Sequence, residues 1–157
     1  MIDIRELTPA ELDRVVQSLP LHRFDSFERD AIYLIAWDRA EPVGHVHVAW
    51  TETELGLPEL QDMYVLPGRR SAGIGGRLAR AAEELAAARG HERCSLSVSD
   101  VNVRARALYE RLGYTRADVA PKQVQGTIVV RGGVIEADEM LLYFTKPVVD
   151  LAPGRSS

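Results

Sequence analysis

Leu60-Gln61-Asp62-Met63-Tyr64-Val65-Leu66-Pro67-Gly68-Arg69-Arg70-Ser71-Ala72-Gly73-Ile74-Gly75-Gly76 decides the fold. Leu60–Leu66 reads as a strand closed by Pro67-Gly68, and helical spacing begins at Ile74. The segment is therefore a strand, a glycine-bearing turn and a helix N-terminus. Backbone N–H groups at such a terminus lack intrahelical partners, and the helix dipole favours negative charge there. A pyrophosphate meets that demand, and Gly73 and Gly75 remove side chains that would keep its oxygens from the backbone. Two familiar phosphate loops are excluded. Gly-Lys-Ser/Thr does not follow the glycines, and Leu78 stands where a dinucleotide fingerprint needs a third glycine. A tight strand-to-helix turn with no ligand remains the plain alternative.

Working outward, a helix is expected from Ile74 to Arg89. Its apolar stripe is Ile74, Leu78, Ala81, Leu85 and Ala88, and Gly90 takes the C′ position. Cys94–Ser99 reads as a short strand, and a second helix is expected over Asn102–Leu112, ended by Gly113. Upstream, Ile2–Leu7 alternates like a strand. Thr8-Pro9-Ala10-Glu11 is a helix start, with Leu12, Val15, Val16 and Leu19 at helical spacing and Pro20 at the end. A short helix is placed at Phe24–Arg29. Ala31–Trp37 and Val43–Thr51 make a hairpin about the turn Asp38-Arg39-Ala40-Glu41-Pro42. Downstream, strands are expected at Tyr114–Ala117, Gln123–Arg131 and Glu139–Lys146. The order implies a mixed α/β (α+β) sheet rather than a purely parallel one, in a single domain over 1–149 with a flexible tail over 150–157.

The chain has 157 residues, 46% hydrophobic and 27% charged, which is ordinary for a globular domain. No apolar run approaches the roughly 20 residues that span a bilayer. The opening Met1-Ile2-Asp3-Ile4-Arg5-Glu6 has no secretory pattern, so a cytoplasmic location is the expectation. The net charge of −4 argues against nucleic acid or an anionic membrane as partner. Cys94 is the single cysteine, which excludes an internal disulfide. The cations are nearly all Arg, with Lys only at Lys122 and Lys146, so an anion would meet guanidinium forks.

Arg70-x-x-Gly73-x-Gly75 resembles the Gln/Arg-x-x-Gly-x-Gly/Ala signature of the GNAT N-acetyltransferase superfamily. The downstream Asn102-Val103-Arg104-Ala105-Arg106-Ala107-Leu108-Tyr109-Glu110-Arg111-Leu112-Gly113-Tyr114 is similar to that family's Asn…Ala…Leu-Tyr-Glu-x-x-Gly-Phe/Tyr element. The two motifs stand in the family's order, and the likeness covers roughly Leu60–Tyr114. The resemblance implies a mostly antiparallel mixed sheet flanked by helices, with a βαβα core that binds acetyl-coenzyme A. It implies transfer of an acetyl group to the amine of a small molecule or peptide, without a metal, and a homodimer is common in the family. Backbone groups of Arg69, Arg70, Ser71, Ala72, Gly73, Ile74, Gly75 and Gly76 would hold the pyrophosphate. The strand residues Met63, Tyr64 and Val65 would pair with the pantetheine arm as an added strand does. Asn102 would contact that arm, and Tyr109 would protonate the departing thiolate. Spacing agrees independently: seven residues along a helix put Asn102 and Tyr109 on one face, with Ala105 between them. The plain alternatives are a helix cap for Asn102 and a half-buried aromatic for Tyr109.

An attacking amine must first lose a proton, and a carboxylate or water ordered by one can take it. Asp62 is the first candidate and Glu59 the second, and an ion-paired Asp62 is the alternative. Strand parity puts Asp62 on one face with Leu60 and Tyr64, opposite Gln61, Met63 and Val65. Gln61 stands where related sequences carry Glu, which points to water-mediated proton removal. His45 and His47 share a strand face. Without a third ligand they suggest the lining of an acceptor pocket, against a solvated sheet face as the default. Two further functions fit the same residues: an acyl-coenzyme A sensor without turnover, and a general phospholigand-binding domain.

Overall fold

The computed structural model describes residues 1–23, 26–130 and 133–151. Its elements are β1 (Ile2–Glu6), α1 (Leu12–Val16), β2 (Ala31–Asp38), β3 (Glu41–Ala49) and β4 (Glu59–Val65), then α2 (Ile74–Ala88), β5 (Arg93–Ser99), α3 (Val103–Arg111), β6 (Thr115–Arg116), β7 (Lys122–Val130) and β8 (Gly133–Pro147). One sheet holds all eight strands in the order β1-β2-β3-β4-β5-β8-β6, with β7 on β8. It is two antiparallel halves, β1–β4 and β5–β8, joined where β4 runs parallel to β5. The expected mixed, mostly antiparallel sheet flanked by helices is what the chain forms.

Each face of the sheet carries its own core. On one, Leu34, Val46, Val48, Leu60, Leu96 and Phe144 meet Ile74, Leu78, Ala79, Ala82 and Ala86 of α2. On the other, Tyr33, Ile35 and Trp37 meet Leu7, Val15, Leu19 and Leu21 around α1. Burial on both faces explains why β2 and β3 read as nearly continuous apolar runs.

Several expectations are corrected. The helix begun at Thr8 keeps its capping box, but it is a 3-10 turn over Pro9–Glu11 followed by five residues of α-helix. The helix placed at Phe24–Arg29 is a 3-10 turn at Ser26–Glu28, and positions 24 and 25 lie outside the described residues. On α2 the buried stripe runs through Ile74, Leu78, Ala82 and Ala86, while Leu85 is 38% exposed. An alanine-rich helix offers several stripes of similar hydropathy, and contact with the sheet selects among them. The two late strands pair as a hairpin, with β8 extended back to Gly133. Of the expected tail, Val149–Leu151 is a 3-10 turn and 152–157 lie outside the described residues.

Candidate functional site

β4 and β5 are registered at only two positions, Glu59 with Ser95 and Leu60 with Leu96. Beyond Leu60 neither strand is registered with the other, and an opening of about 130 Å³ lies there. Arg23, Glu59, Gln61, Asp62, Met63, Leu96, Ser97 and Tyr109 line it. Glu59 and Tyr109, both expected to act on protons, share this opening.

The other edge of β4 is irregular too. His45 registers with Tyr64, and His47 with Gln61. Two steps on β3 therefore face three on β4, the signature of a β-bulge. Asp62 sits in the bulge with φ +49°, a left-handed conformation that is uncommon outside glycine. The bulge overturns the simple parity. Gln61 Oε1 lies 3.0 Å from His47 Nδ1, and Asp62 accepts from the Tyr33 hydroxyl at 2.5 Å and the His22 N–H at 3.0 Å. Gln61 and Asp62 thus serve the α1 side together, while Leu60 packs in the core beneath α2. Met63 falls in the irregular stretch, without a registered partner on β3 or β5.

Asp62 is heavily engaged. Besides Tyr33 and the His22 N–H, its carboxylate lies 3.4 Å from His22 Nδ1 and 3.8 Å from His45 Nδ1. Glu59 is freer. It is 8% exposed, and burial holds its carboxyl above the usual carboxylate range, an effect partly offset by a hydrogen bond to Gln61. A carboxylate made more basic by burial and facing an opening suits proton removal better than one tied to a phenol and an imidazole.

Tyr109 packs against the α2-side core and meets Tyr114 edge-on at 6.1 Å. Burial pushes its phenol up to about 12, so it is protonated throughout the neutral range. Asn102 caps α3, its Oδ1 accepting from the Ala105 N–H at 3.1 Å. It does not line the opening. His45 and His47 are buried, which corrects the solvated sheet face expected of them. Tyr33 covers both rings edge-on, Tyr64 stacks on His45, and neither histidine lines the opening. Burial also holds His45 below its ordinary value, so it is neutral near pH 7. Among the described residues, no three His, Cys, Asp or Glu gather as a metal would need, and no helix is long and apolar enough to cross a membrane.

The glycine loop runs from a 3-10 turn at Pro67–Arg69 to Gly73, the N-cap of α2. Ser71 and Gly73 both have positive φ, +70° and +79°. A Cβ at Gly73 would meet nothing within 4 Å, so the loop is open on that side. The N–H groups of Ile74, Gly75 and Gly76 in the first turn have no helical acceptor. An open loop beneath free N–H groups fits a phosphate-bearing ligand. The arginine side chains are turned elsewhere: Arg69 pairs with Asp38 across the β2–β3 turn, and Arg70 donates to the Val65 carbonyl at 2.9 Å. The Tyr64 ring belongs to the α1-side core, which leaves only its backbone near the open edge.

Tyr33, His22 and Arg23 were not singled out from the sequence. The available signal was a tyrosine hydroxyl in the mostly apolar β2, and a polar Gln61-Asp62 pair that breaks the alternation of β4.

Comparison with known proteins agrees with this architecture. The family model described as the acetyltransferase (GNAT) family matches residues 1–114. The uncharacterized N-acetyltransferase YhfO of Bacillus subtilis is 33% identical over 88 residues, 54% of this chain and 59% of that protein. The uncharacterized N-acetyltransferase YjgM of Escherichia coli is 38% identical over 89 residues, 56% of this chain and 53% of that one. The chain thus spans less than two thirds of the length of these curated relatives. In the crystal structure of a protein assigned as a streptothricin acetyltransferase from Bacillus anthracis, bound to acetyl coenzyme A, the fold superposes with a TM-score of 0.69 at 16% identity. That match covers 94% of this chain and 99% of the other. The split sheet, the glycine loop and the family match over 114 of 157 residues lead to one conclusion: this chain belongs to the acetyltransferase (GNAT) family.

Proposed function

We propose that this chain transfers the acetyl group of acetyl-coenzyme A to an amine of a small molecule or peptide, at the opening between β4 and β5. The observation that carries this reading is that Glu59, from β4, and Tyr109, from α3, line the same opening where β4 and β5 part.

When bound, acetyl-coenzyme A supplies an acetyl thioester. The chain's own residues do the rest. The N–H groups of Ile74, Gly75 and Gly76 receive phosphate charge, and the open loop at Gly73 admits it. Met63, unpaired on β4, offers its backbone to an extended ligand as a neighbouring strand would. Glu59 takes the proton that an ammonium must lose before it can attack. Tyr109 keeps its proton at neutral pH and passes it to the departing sulfur. The desolvation that raises the phenol also raises a thiol formed beside it, so the transfer stays near balance. Asp62 acts as a clamp that holds the bulge and the 22–23 segment, and the base is Glu59.

The test is a thermal-shift titration with acetyl-coenzyme A, coenzyme A and ATP, followed by thiol release over a panel of amines. Ligand at about 100 times its dissociation constant should add roughly 2.7 kcal/mol of apparent stability. Stabilisation by both coenzyme A species but not ATP, together with thiol release that falls about 100-fold in Tyr109→Phe, is expected. Binding without turnover on any amine would instead make the chain a sensor module. Full activity in Tyr109→Phe would remove the assigned acid.

A further inference from the structure

Two consecutive backbone amides before β2 are pinned to the site. The His22 N–H donates to Asp62 at 3.0 Å, and the Arg23 N–H to the Tyr33 hydroxyl at 2.8 Å. Tyr33 in turn donates to Asp62, so the phenol and the carboxylate fix two successive residues of an otherwise irregular segment. The result is to set the Arg23 side chain on the wall of the opening. Arg23 is exposed, and its charge lies close enough to Glu59 to oppose in part the effect of burial on that carboxyl. Glu59 lines the same opening. At about 130 Å³ the opening is smaller than the roughly 300 Å³ at which drug-sized ligand pockets begin, so it admits only the reacting end of an acceptor.

We infer that the acceptor is an amine carrying a nearby carboxylate, a free amino acid or related amino-carboxylate, whose carboxylate is read by Arg23 while its amine faces Glu59. This rests on the proposed acetyl transfer. The physical ground is charge complementarity over a short span. A simple amine or a polyamine would bring only cations beside the Arg23 guanidinium, whereas a zwitterion gives each wall its opposite charge. A guanidinium fork also matches a carboxylate in two parallel hydrogen bonds, which an ester or an amide does not reproduce.

The experiment compares the twenty amino acids with their amides, and with plain alkylamines, using the full chain. Turnover is read as kcat/KM, and binding is read by calorimetry in the presence of coenzyme A. The expected result is a preference of about tenfold or more for acids over their amides. That preference should collapse in Arg23→Glu through KM rather than kcat, and return in part in Arg23→Lys. Amides or alkylamines turned over as well as the acids would overturn the inference while leaving acetyl transfer standing. An acid preference unchanged in Arg23→Glu would overturn the role of Arg23. Failure of coenzyme A itself to bind would sink the underlying function and this inference with it.

Discussion

Glu59 is a carboxyl that folding has moved away from water, and its burial has opposite consequences for stability and chemistry. Its folded value lies above the ordinary 4.5, so as pH rises the unfolded chain gives up this proton first. Glu59 therefore takes stability away as pH climbs from 4.5 through the raised value. Replacing it with Gln, which keeps the shape and the hydrogen bond to Gln61, should leave the melting temperature at pH 7 unchanged or higher. Turnover should fall by about 100-fold, and the acid limb of the kcat/KM profile should disappear. Substitutions at Asp62 should instead be read in stability. Asp62→Ala leaves the buried Tyr33 hydroxyl and the His22 N–H short of an acceptor, and should cost about 2–3 kcal/mol in urea unfolding. Asp62→Asn restores an acceptor and should recover part of that loss while retaining turnover. If Asp62→Asn were stable but dead, Asp62 rather than Glu59 would be the base.

At the scale of elements, β3, β4 and α2 approach so closely at Gly44 that no other residue fits. An ideal Cβ there would lie 2.9 Å from the Tyr64 carbonyl oxygen and 3.3 Å from Leu78 Cδ1. The first neighbour is backbone and cannot swing aside, so Gly44→Ala should cost about 2 kcal/mol in thermal unfolding. An unchanged melting temperature would mean that the three elements pack less tightly than described. This contact also marks what was readable in the sequence. The strand–loop–helix order around Gly73 was legible because it is local: Pro67-Gly68 ends one period and Ile74 begins another. Glu59 beside the strand that became β4 and Tyr109 on the helix that became α3 were legible as residues whose types can carry protons. The bulge at Asp62 was not, because register belongs to two strands, and no residue of β4 alone states where β3 will slip. The burial of His45 and His47 was hidden for the same reason. Alternating histidines read as a wet face until the segment ending at Leu21, and Tyr33 on the neighbouring strand, are known to cover it.

Across the whole molecule, the two halves of the sheet are tied together beneath α2. Glu83 on α2 is 1% exposed, and accepts from the Tyr114 hydroxyl at 2.9 Å and Lys146 Nζ at 2.7 Å. Lys146 belongs to β8 and Tyr114 lies just before β6, so one buried carboxylate links a helix to the far half of the sheet. Lys146→Met removes the countercharge and should cost about 2 kcal/mol, less than a fully buried pair because the lysine is partly exposed. A second substitution, Glu83→Gln, should recover part of it, and urea midpoints of the single and double variants read this coupling.

The seam between β4 and β5, registered at two positions only, has a mechanical meaning. A sheet cut almost in two is compliant across the cut, and the amides flanking it should exchange with solvent sooner than those of the paired hairpins. An extended ligand laid along the seam would act as the missing strand and stitch the halves together. The chain's lifetime against proteases would then follow the supply of its own co-substrate, long when the co-substrate is plentiful and short when it is scarce.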